Sequence, residues 1–559
     1  MGSASTVSAG AAVESIDMSL SPDSLDRLEA AGMSDAVDVP LCVGDSRDVA
    51  AMNVEQTEVL VVGAGPSGLM AALCLARLGV RAVVIDGKDG PTRESRALAL
   101  QARSMELYAQ LGLADEVARE AQRSPKIVPG YGARTFPAVS FAAFGRTLTP
   151  FPGIHVLEQS RNERLLAQGL TDAGGDLRWR HALTSIEIDE AAPLPVTVEV
   201  ATPRGPRTIH ARWCIAADGA SSPVREQLGL SFEGTTNPRR FYVIDAIGTR
   251  GLVRQAVNLR FARDDFLLTF PMGPGGHDRL LGVVESDDPD LEGLVRRRLQ
   301  REFNVSFSAT AWASSYRVHH RLATHFRSGP VFLVGDAAHV HSPVGAQGMN
   351  TGLQDAHNLA CKLADVVLRG ADPRILDRYE AERRPVASRL VTSTDAAFNR
   401  ITSAKRSARF VRSRVVPVVA PIAVRIMPRV IGTQRIYGYL AQIRIHYWMS
   451  DEQKRSTRGR RDRIVGRRLP WTGGNYAALR HFTWQLHSYG FADPAAVSVV
   501  AASLGIAAVS FPADPYRRLR TDRLYLVRPD GFVAGAAAAF DAVPAFAPFV
   551  PPKSFTAPD

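Results

Sequence analysis

The stretch EVLVVGAGPSGLMAALCLARLGVRAVVID, residues 58–86, decides the fold. Glu58 to Val62 is an apolar, β-branched run closed by Gly63 and reads as a buried strand; Pro66 to Leu78 reads as a helix, and Val80 to Asp86 as a second strand after a turn at Gly79. The unit is βαβ, with Gly63-Ala-Gly65-Pro-Ser-Gly68 between the first strand and the helix. Each glycine has a physical reason. Gly63 permits the tight turn, Gly65 lets the backbone approach a pyrophosphate, and Gly68 lets helix and strand pack closely. The phosphates would meet free N–H groups at the helix start. Asp86 ends the second strand 23 residues past Gly63, where a carboxylate accepts hydrogen bonds from an adenosine ribose.

Outward from this unit, 559 residues exceed the ~250–300 at which one core stops growing, so two or three domains are expected. A composition 45% hydrophobic and 22% charged, with mean hydropathy −0.06, suits a folded soluble chain. Four cysteines (Cys42, Cys74, Cys214, Cys361) stand far apart without a CxxC pair, which implies reduced thiols and a cytoplasmic setting, with neither a disulfide framework nor a cysteine zinc site. The net charge of +11 is uneven. Residues 1–51 hold nine acids against Arg27 and Arg47, leaving +18 on the remainder. The arginines are spread without an aromatic-interleaved run, so anionic small molecules are expected as partners and nucleic acid is not. Residues 495–511 fall short of a membrane span, and no signal peptide opens the chain. Residues 1–54 read as an acidic, weakly ordered leader with at most a short helix at Pro22–Ala31. Met52 is the expected native start, which would make 1–51 dispensable.

Alternating runs such as Val196–Val200 and Asp265–Phe270 predict a mixed or antiparallel sheet in the middle of the chain, and Gly329–Gly335 returns to the doubly wound pattern. Asp355–Leu368 and 374–400 read as helices, while Pro417, Pro421 and Pro428 are expected to break any long helix in 411–432. Beyond about 455 a separate unit shows strand candidates at Phe482–Leu486, Val497–Ala501 and Leu524–Val527, the last closed by a turn at Pro529-Asp-Gly531.

Two further segments move the reading from dinucleotides in general to flavin. Cys214-Ile-Ala-Ala-Asp218-Gly219-Ala-Ser-Ser-Pro-Val-Arg225 and Gly335-Asp336-Ala-Ala-His339-Val-His341-Ser-Pro343-Val-Gly345-Ala-Gln-Gly348-Met349-Asn350-Thr-Gly352 resemble the second and third fingerprints of the FAD-dependent aromatic hydroxylases, the single-component flavoprotein monooxygenases typified by para-hydroxybenzoate hydroxylase. Order and spacing also match, over roughly 55–400. Asp336 follows a buried strand and is placed to accept a ribityl hydroxyl proton. The glycine-rich loop from Pro343 to Gly352 is placed to lay N–H groups against the pyrimidine end of an isoalloxazine, favouring the reduced, anionic ring. Arg96 matches the family arginine near the FAD phosphates and Gln159 a family glutamine beside the flavin; an ordinary surface arginine and a helix-cap residue are the alternatives. Asp218-Gly219 is the segment the family uses for both FAD and NADPH, although a plain turn shows the same pair. The cofactor set implied is therefore bound FAD with Gly63, Gly65, Gly68, Asp86, Arg96, Gln159, Asp218, Gly219, Asp336, Pro343, Gly345, Gly348, Met349 and Asn350, and NADPH or NADH visiting transiently, since no second GxGxxG exists.

His339 and His341 form an HxH without a third ligand at useful spacing, so a hydrogen-bonding role is expected and no metal; His319-His320 reads as solvated. No GxSxG, motif-bearing cysteine or telling carboxylate pair is present, so no catalytic side chain is assigned. The resemblance implies catalysis by the cofactor: reduced FAD and O2 give a C4a-hydroperoxide whose distal oxygen passes to an electron-rich ring in a dry pocket. Phe241–Ile247 and Phe266–Leu281 are the expected pocket walls. Residues 470–559, free of cysteine, resemble the C-terminal thioredoxin-like domain of phenol and aromatic polyketide hydroxylases.

The expected architecture is α/β: a doubly wound FAD-binding domain (55–230 and 325–400), an inserted mixed-sheet substrate domain (231–324), a helical connector (401–455) and a thioredoxin-like unit without CxxC (456–559). The expected activity is NAD(P)H- and O2-dependent hydroxylation of a polycyclic, polyketide-type phenol by a monomer or homodimer. Baeyer–Villiger insertion or epoxidation on the same scaffold, and a flavin-binding scaffold without turnover, are the alternatives.

Overall fold

The computed structural model describes residues 54–93, 97–263, 265–284, 290–341, 347–402, 406–427, 430, 432–457 and 464–552. The leader, with its expected helix at Pro22–Ala31 and start at Met52, lies outside them. Strand β1 (Val54–Val62), helix α1 (Pro66–Leu78) and strand β2 (Ala82–Asp86) form the βαβ unit. Helix α1 starts on a proline at its first turn, where no intrahelical N–H is needed, and stops at Gly79, whose φ of 83° is the left-handed conformation of a helix terminator.

Around this unit lies a parallel sheet ordered Asp176–Trp179, β2, β1, the end of Gly205–Ala216, and Val331–Leu333. These central strands are buried on both faces, which explains their continuous Val/Ile/Leu character. Residues Ala182–Ile188 and Val196–Thr202 extend the sheet antiparallel along the first half of Gly205–Ala216. Helix α1 packs on the helices Gln159–Asp172 and Gly348–Val367. The consequence for function is topological. Val62, Asp86, Ala216 and Leu333 all end at one carboxyl edge, so the loops that follow them meet there.

The middle sheet has nine strands and is mixed. Phe232–Ile247 pairs antiparallel with both His277–Val284 and Ala309–Ala323, and Val257–Phe261 pairs parallel with Lys126–Tyr131. Strand alternation splits its residues between two cores. Tyr242, Ile244, Leu267 and Leu280 pack against the helix Leu291–Phe303. Phe241, Val243, Phe266, Phe270 and Leu281 face the other way, into a cluster with Phe141, Val156 and Tyr437.

The C-terminal unit is a strand Gln485–Tyr489, a helix Pro494–Leu504 and a parallel strand Ala507–Phe511, followed by an antiparallel hairpin (Leu524–Val527, Val533–Ala537) and a helix Ala539–Phe546. Its turn at Pro529–Gly531 carries Gly531 at φ 78°.

Three expectations are corrected. Val497–Ala501 is helix, not strand: Asp493 accepts the N–H groups of Ala495 and Ala496, Pro494 opens the helix and Gly505 ends it at φ 62°. A helical run continues from Arg406 through a π turn at Val411–Val415 into Val416–Met427, despite Pro417 and Pro421. The wider i→i+5 turn lies immediately ahead of Pro417, where a proline ring crowds the preceding turn. His320 is buried rather than solvated, because it lies on the inward face of Ala309–Ala323; its neighbour His319, on the opposite face, meets Thr236.

Candidate active site

The carboxyl edge of the parallel sheet opens into a cleft. Its lining draws on every fingerprint segment: Gly63, Gly65 and Ser67 from the first, Asp218 and Gly219 from the second, Asp336 and Met349 from the third, with Asp86 and Gln159. The segments also touch one another. Ala217 donates its N–H to Val62 O at 2.8 Å and Val334 donates to Ala216 O at 2.9 Å. A Cβ on Gly63 would collide with the Ala217 carbonyl, and a Cβ on Gly335 or Gly352 with the Ser67 side chain. Gly63, at φ 101°, and Gly68, whose Cβ would strike the Gly63 carbonyl, are thus glycines for packing. Gly65 differs. Nothing lies within 4 Å of where its Cβ would be, so it faces open cleft at the start of α1, where no side chain caps the N–H groups.

Asp86 is held rigidly. Its Oδ2 accepts the Ala64 N–H at 2.7 Å and its Oδ1 the Lys88 N–H at 2.8 Å, leaving lone pairs toward the cleft. Asp218 is the informative residue. Its Oδ2 accepts the Val224 N–H at 3.0 Å, whereas Oδ1 is buried without a hydrogen-bond partner. Burial raises its pKa, and the Ser222 hydroxyl and Val224 N–H only partly offset this. An orphaned buried acceptor beside an uncapped helix N-terminus and a glycine with open space is what a dinucleotide bearing hydroxyls and a pyrophosphate would complete.

Asn350 lies in the first turn of the helix Gly348–Val367. Its side chain is fully buried and saturated, accepting from Gln101 N (2.8 Å) and Ser104 Oγ (2.6 Å) and donating to Ala99 O (2.7 Å). It therefore fastens the segment Ala99–Ser104 to the helix Gly348–Val367. Gly348 opens that helix; Gly68 packs against the Gly63 carbonyl and Ala217. Arg96, Pro343 and Gly345 lie outside the described residues. Sequence reading missed Lys88, Thr92 and Glu163 in the lining. Glu163 accepts from Thr92 N (2.6 Å) and Gln159 Nε2 (2.9 Å), and its position four residues past Gln159 on one helix was the available signal.

His339 is spent locally: it meets Asp355 Oδ2 at 2.7 Å, and Asp355 Oδ1 accepts from Arg383 Nε at 2.5 Å. Burial alone pushes the Asp355 carboxyl up, but Arg383 and His339 more than reverse it and hold the group ionised. Among the described residues no cluster of metal-ligating side chains is present.

Fold and cleft together define a dinucleotide-binding α/β protein. The chain belongs to the family described as FAD binding domain, which matches residues 56–394. It is 36% identical over 407 residues to 6-methylpretetramide 4-monooxygenase of Streptomyces rimosus, covering 70% of each chain. Among solved structures it is similar to an anhydrotetracycline hydroxylase from Streptomyces rimosus (TM-score 0.71, 27% identity, covering 90% of this chain and 100% of that one). A flavin-dependent monooxygenase solved with FAD and substrate shares the fold at TM-score 0.73 and 24% identity, over 90% and 99% of the two chains. The protein is an FAD-dependent monooxygenase, and its mixed α/β architecture is that of the FAD-dependent hydroxylases.

Proposed function

We propose that this chain hydroxylates a polycyclic, polyketide-type phenol, using NADPH or NADH and O2. The observation that carries the reading is the meeting of the three fingerprint segments at one cleft. FAD, when bound, supplies the activation of O2 and the transfer of one oxygen atom. The chain's own residues hold, orient and shield. The N-terminus of α1 with Gly63 and Gly65 would take the pyrophosphate, Asp86 the adenosine ribose, Asp218 and Asp336 hydroxyls of the cofactor, and the helix opened by Gly348 the electron-rich end of the flavin ring. Asn350 acts at one remove, by fixing the segment that runs beside that helix.

The substrate wall we assign is the face carrying Phe241, Phe266 and Phe270 with Tyr437, partly lined by Trp312 and Tyr316. Phe241 stacks on Tyr316 with centroids 6.0 Å apart. Such a face suits a flat, fused-ring substrate and keeps water away from the reacting centre. The relatives named for 6-methylpretetramide and anhydrotetracycline favour the same class. Asp218-Gly219 is assigned to both cofactors, the nicotinamide nucleotide binding transiently. We place the enzyme in the cytoplasm, as a monomer or homodimer; among the described residues no helix is long and apolar enough to cross a membrane. The C-terminal unit is assigned a thioredoxin-like, structural role, clamped to the FAD domain by buried ion pairs.

The test is a panel of polycyclic phenols read by NADPH consumption and product mass. A gain of one oxygen with an intact ring skeleton is expected. Ring opening or expansion would replace hydroxylation by Baeyer–Villiger insertion, and NADPH consumption that no phenol stimulates would remove the hydroxylase reading.

A further inference from the structure

Between Ala396 and Ser450 the sequence holds ten lysines and arginines and no aspartate or glutamate, which is nearly the whole net charge of the chain. Within this segment runs the helix Arg406–Phe410, its π turn Val411–Val415 and the helix Val416–Met427. One side is tied to the body: Arg412 is buried and donates Nε to Arg263 O at 3.0 Å, and the helix Val416–Met427 packs near the strand Lys126–Tyr131. The other side is apolar and open. Val411, Val415, Val418, Val419, Ile422 and Ile426 are spaced i, i+4, i+7, i+8, i+11 and i+15, a single helical stripe, and all are exposed, Val418 by 64% and Ile422 by 55%. Phe410 and Val430, 63% and 77% exposed, extend it at the two ends. Arg406, Arg414 and Arg425 on the same run are exposed as well.

A stripe of this length is not left to water in a soluble protein without cause. A second copy would cover the valines, but a symmetric contact brings the same acid-free basic segment of both copies together. An anionic bilayer meets both properties at once, offering acyl chains to the stripe and negative headgroups to the arginines. The arginines within the run suit a helix lying in the interface.

We propose that the exposed face of Arg406–Met427 docks the enzyme peripherally on anionic lipid bilayers. The test uses the full-length, FAD-loaded protein and sedimentation with vesicles of phosphatidylcholine alone or of phosphatidylglycerol and phosphatidylcholine at one to three. Expected is binding to the anionic vesicles that weakens with salt and exceeds binding to phosphatidylcholine at least tenfold. The pair Val418→Asp/Ile422→Asp should lose it at least tenfold. The pair Arg406→Gln/Arg414→Gln should weaken it by about fivefold per arginine, the equivalent of ~1 kcal/mol for each charge near the surface. The arginine pair keeps the test decisive if the aspartate pair fails to retain flavin. Wild-type protein that ignores both vesicles, or binds them equally whether substituted or not, overturns the proposal. So does a wild-type dimer that Val418→Asp/Ile422→Asp turns into monomer without any vesicle binding, which would assign the stripe to a second copy.

Discussion

Replacing Arg528 by methionine should loosen the C-terminal unit from the FAD domain. Arg528, after the strand Leu524–Val527, reaches across to Glu382 on the helix Asp377–Thr402, at 2.8 and 3.1 Å, and also pairs with Asp530 at 2.6 Å. Lys362 joins Glu382 at 2.7 Å from the helix Gly348–Val367, and every side chain in the group is almost fully buried. Burial alone pushes the Glu382 carboxyl up, yet Arg528 and Lys362 hold it at about 2. Removing one cation strands two buried carboxylates with Lys362, and breaking a buried pair from one side costs about 3–5 kcal/mol. In a chain of about 500 folded residues that is roughly 1–2 °C per kcal/mol, so a melting point lower by roughly 3–10 °C is expected. Glu382's folded pKa is depressed, so its stabilisation is complete above about pH 4.5 and is lost as pH falls toward 2. In Arg528→Met the acid transition should therefore begin at higher pH. Thermal melts followed by circular dichroism across pH 3–8, with proteolysis to detect release of the C-terminal unit, measure both effects. A variant that melts with wild type at every pH would refute the clamp.

Four other substitutions separate roles within the molecule. Gly65→Leu should leave the melting point of the flavin-free protein within about 1 kcal/mol of wild type while abolishing flavin retention, because its side chain enters open cleft; Gly68→Ala should instead destabilise the fold itself, since its Cβ meets the Gly63 carbonyl. Asn350→Ala removes three buried hydrogen bonds and should cost about 2–4 kcal/mol, read by chemical denaturation. Asp265 carries a carboxyl raised to about 6 by burial, against the opposing Arg298, so wild-type stability falls as pH rises through 6. Asp265→Asn should accordingly be more stable than wild type by about 1–3 kcal/mol at pH 8 and equal to it near pH 4, checked by urea titration at the two pH values.

The βαβ unit was legible almost to the residue: Pro66–Leu78 is the helix observed, because its punctuation is local. The later fingerprints were legible as segments, although the sequence did not show that the Asn350 side chain bonds to Ala99, Gln101 and Ser104. That role depends on partners some 250 residues away. Val497–Ala501 misled through its valines, while Asp493, Pro494 and Gly505 held the better signal for a helix. The clamp of Glu382, Lys362, Arg528 and Asp530 was invisible for a different reason. Its members are ordinary surface types until the fold brings three separate segments together and excludes water between them.

One cofactor is expected to fill the cleft between Gly65, Asp86, Asp218 and Asp336. The most direct measurement is to unfold the purified full-length protein and identify, by chromatography and mass spectrometry, the nucleotide it releases. One FAD per chain is expected in wild type, with none retained by Gly65→Leu. Release of a mononucleotide flavin, of a nicotinamide dinucleotide alone, or of FAD undiminished in Gly65→Leu would contradict it.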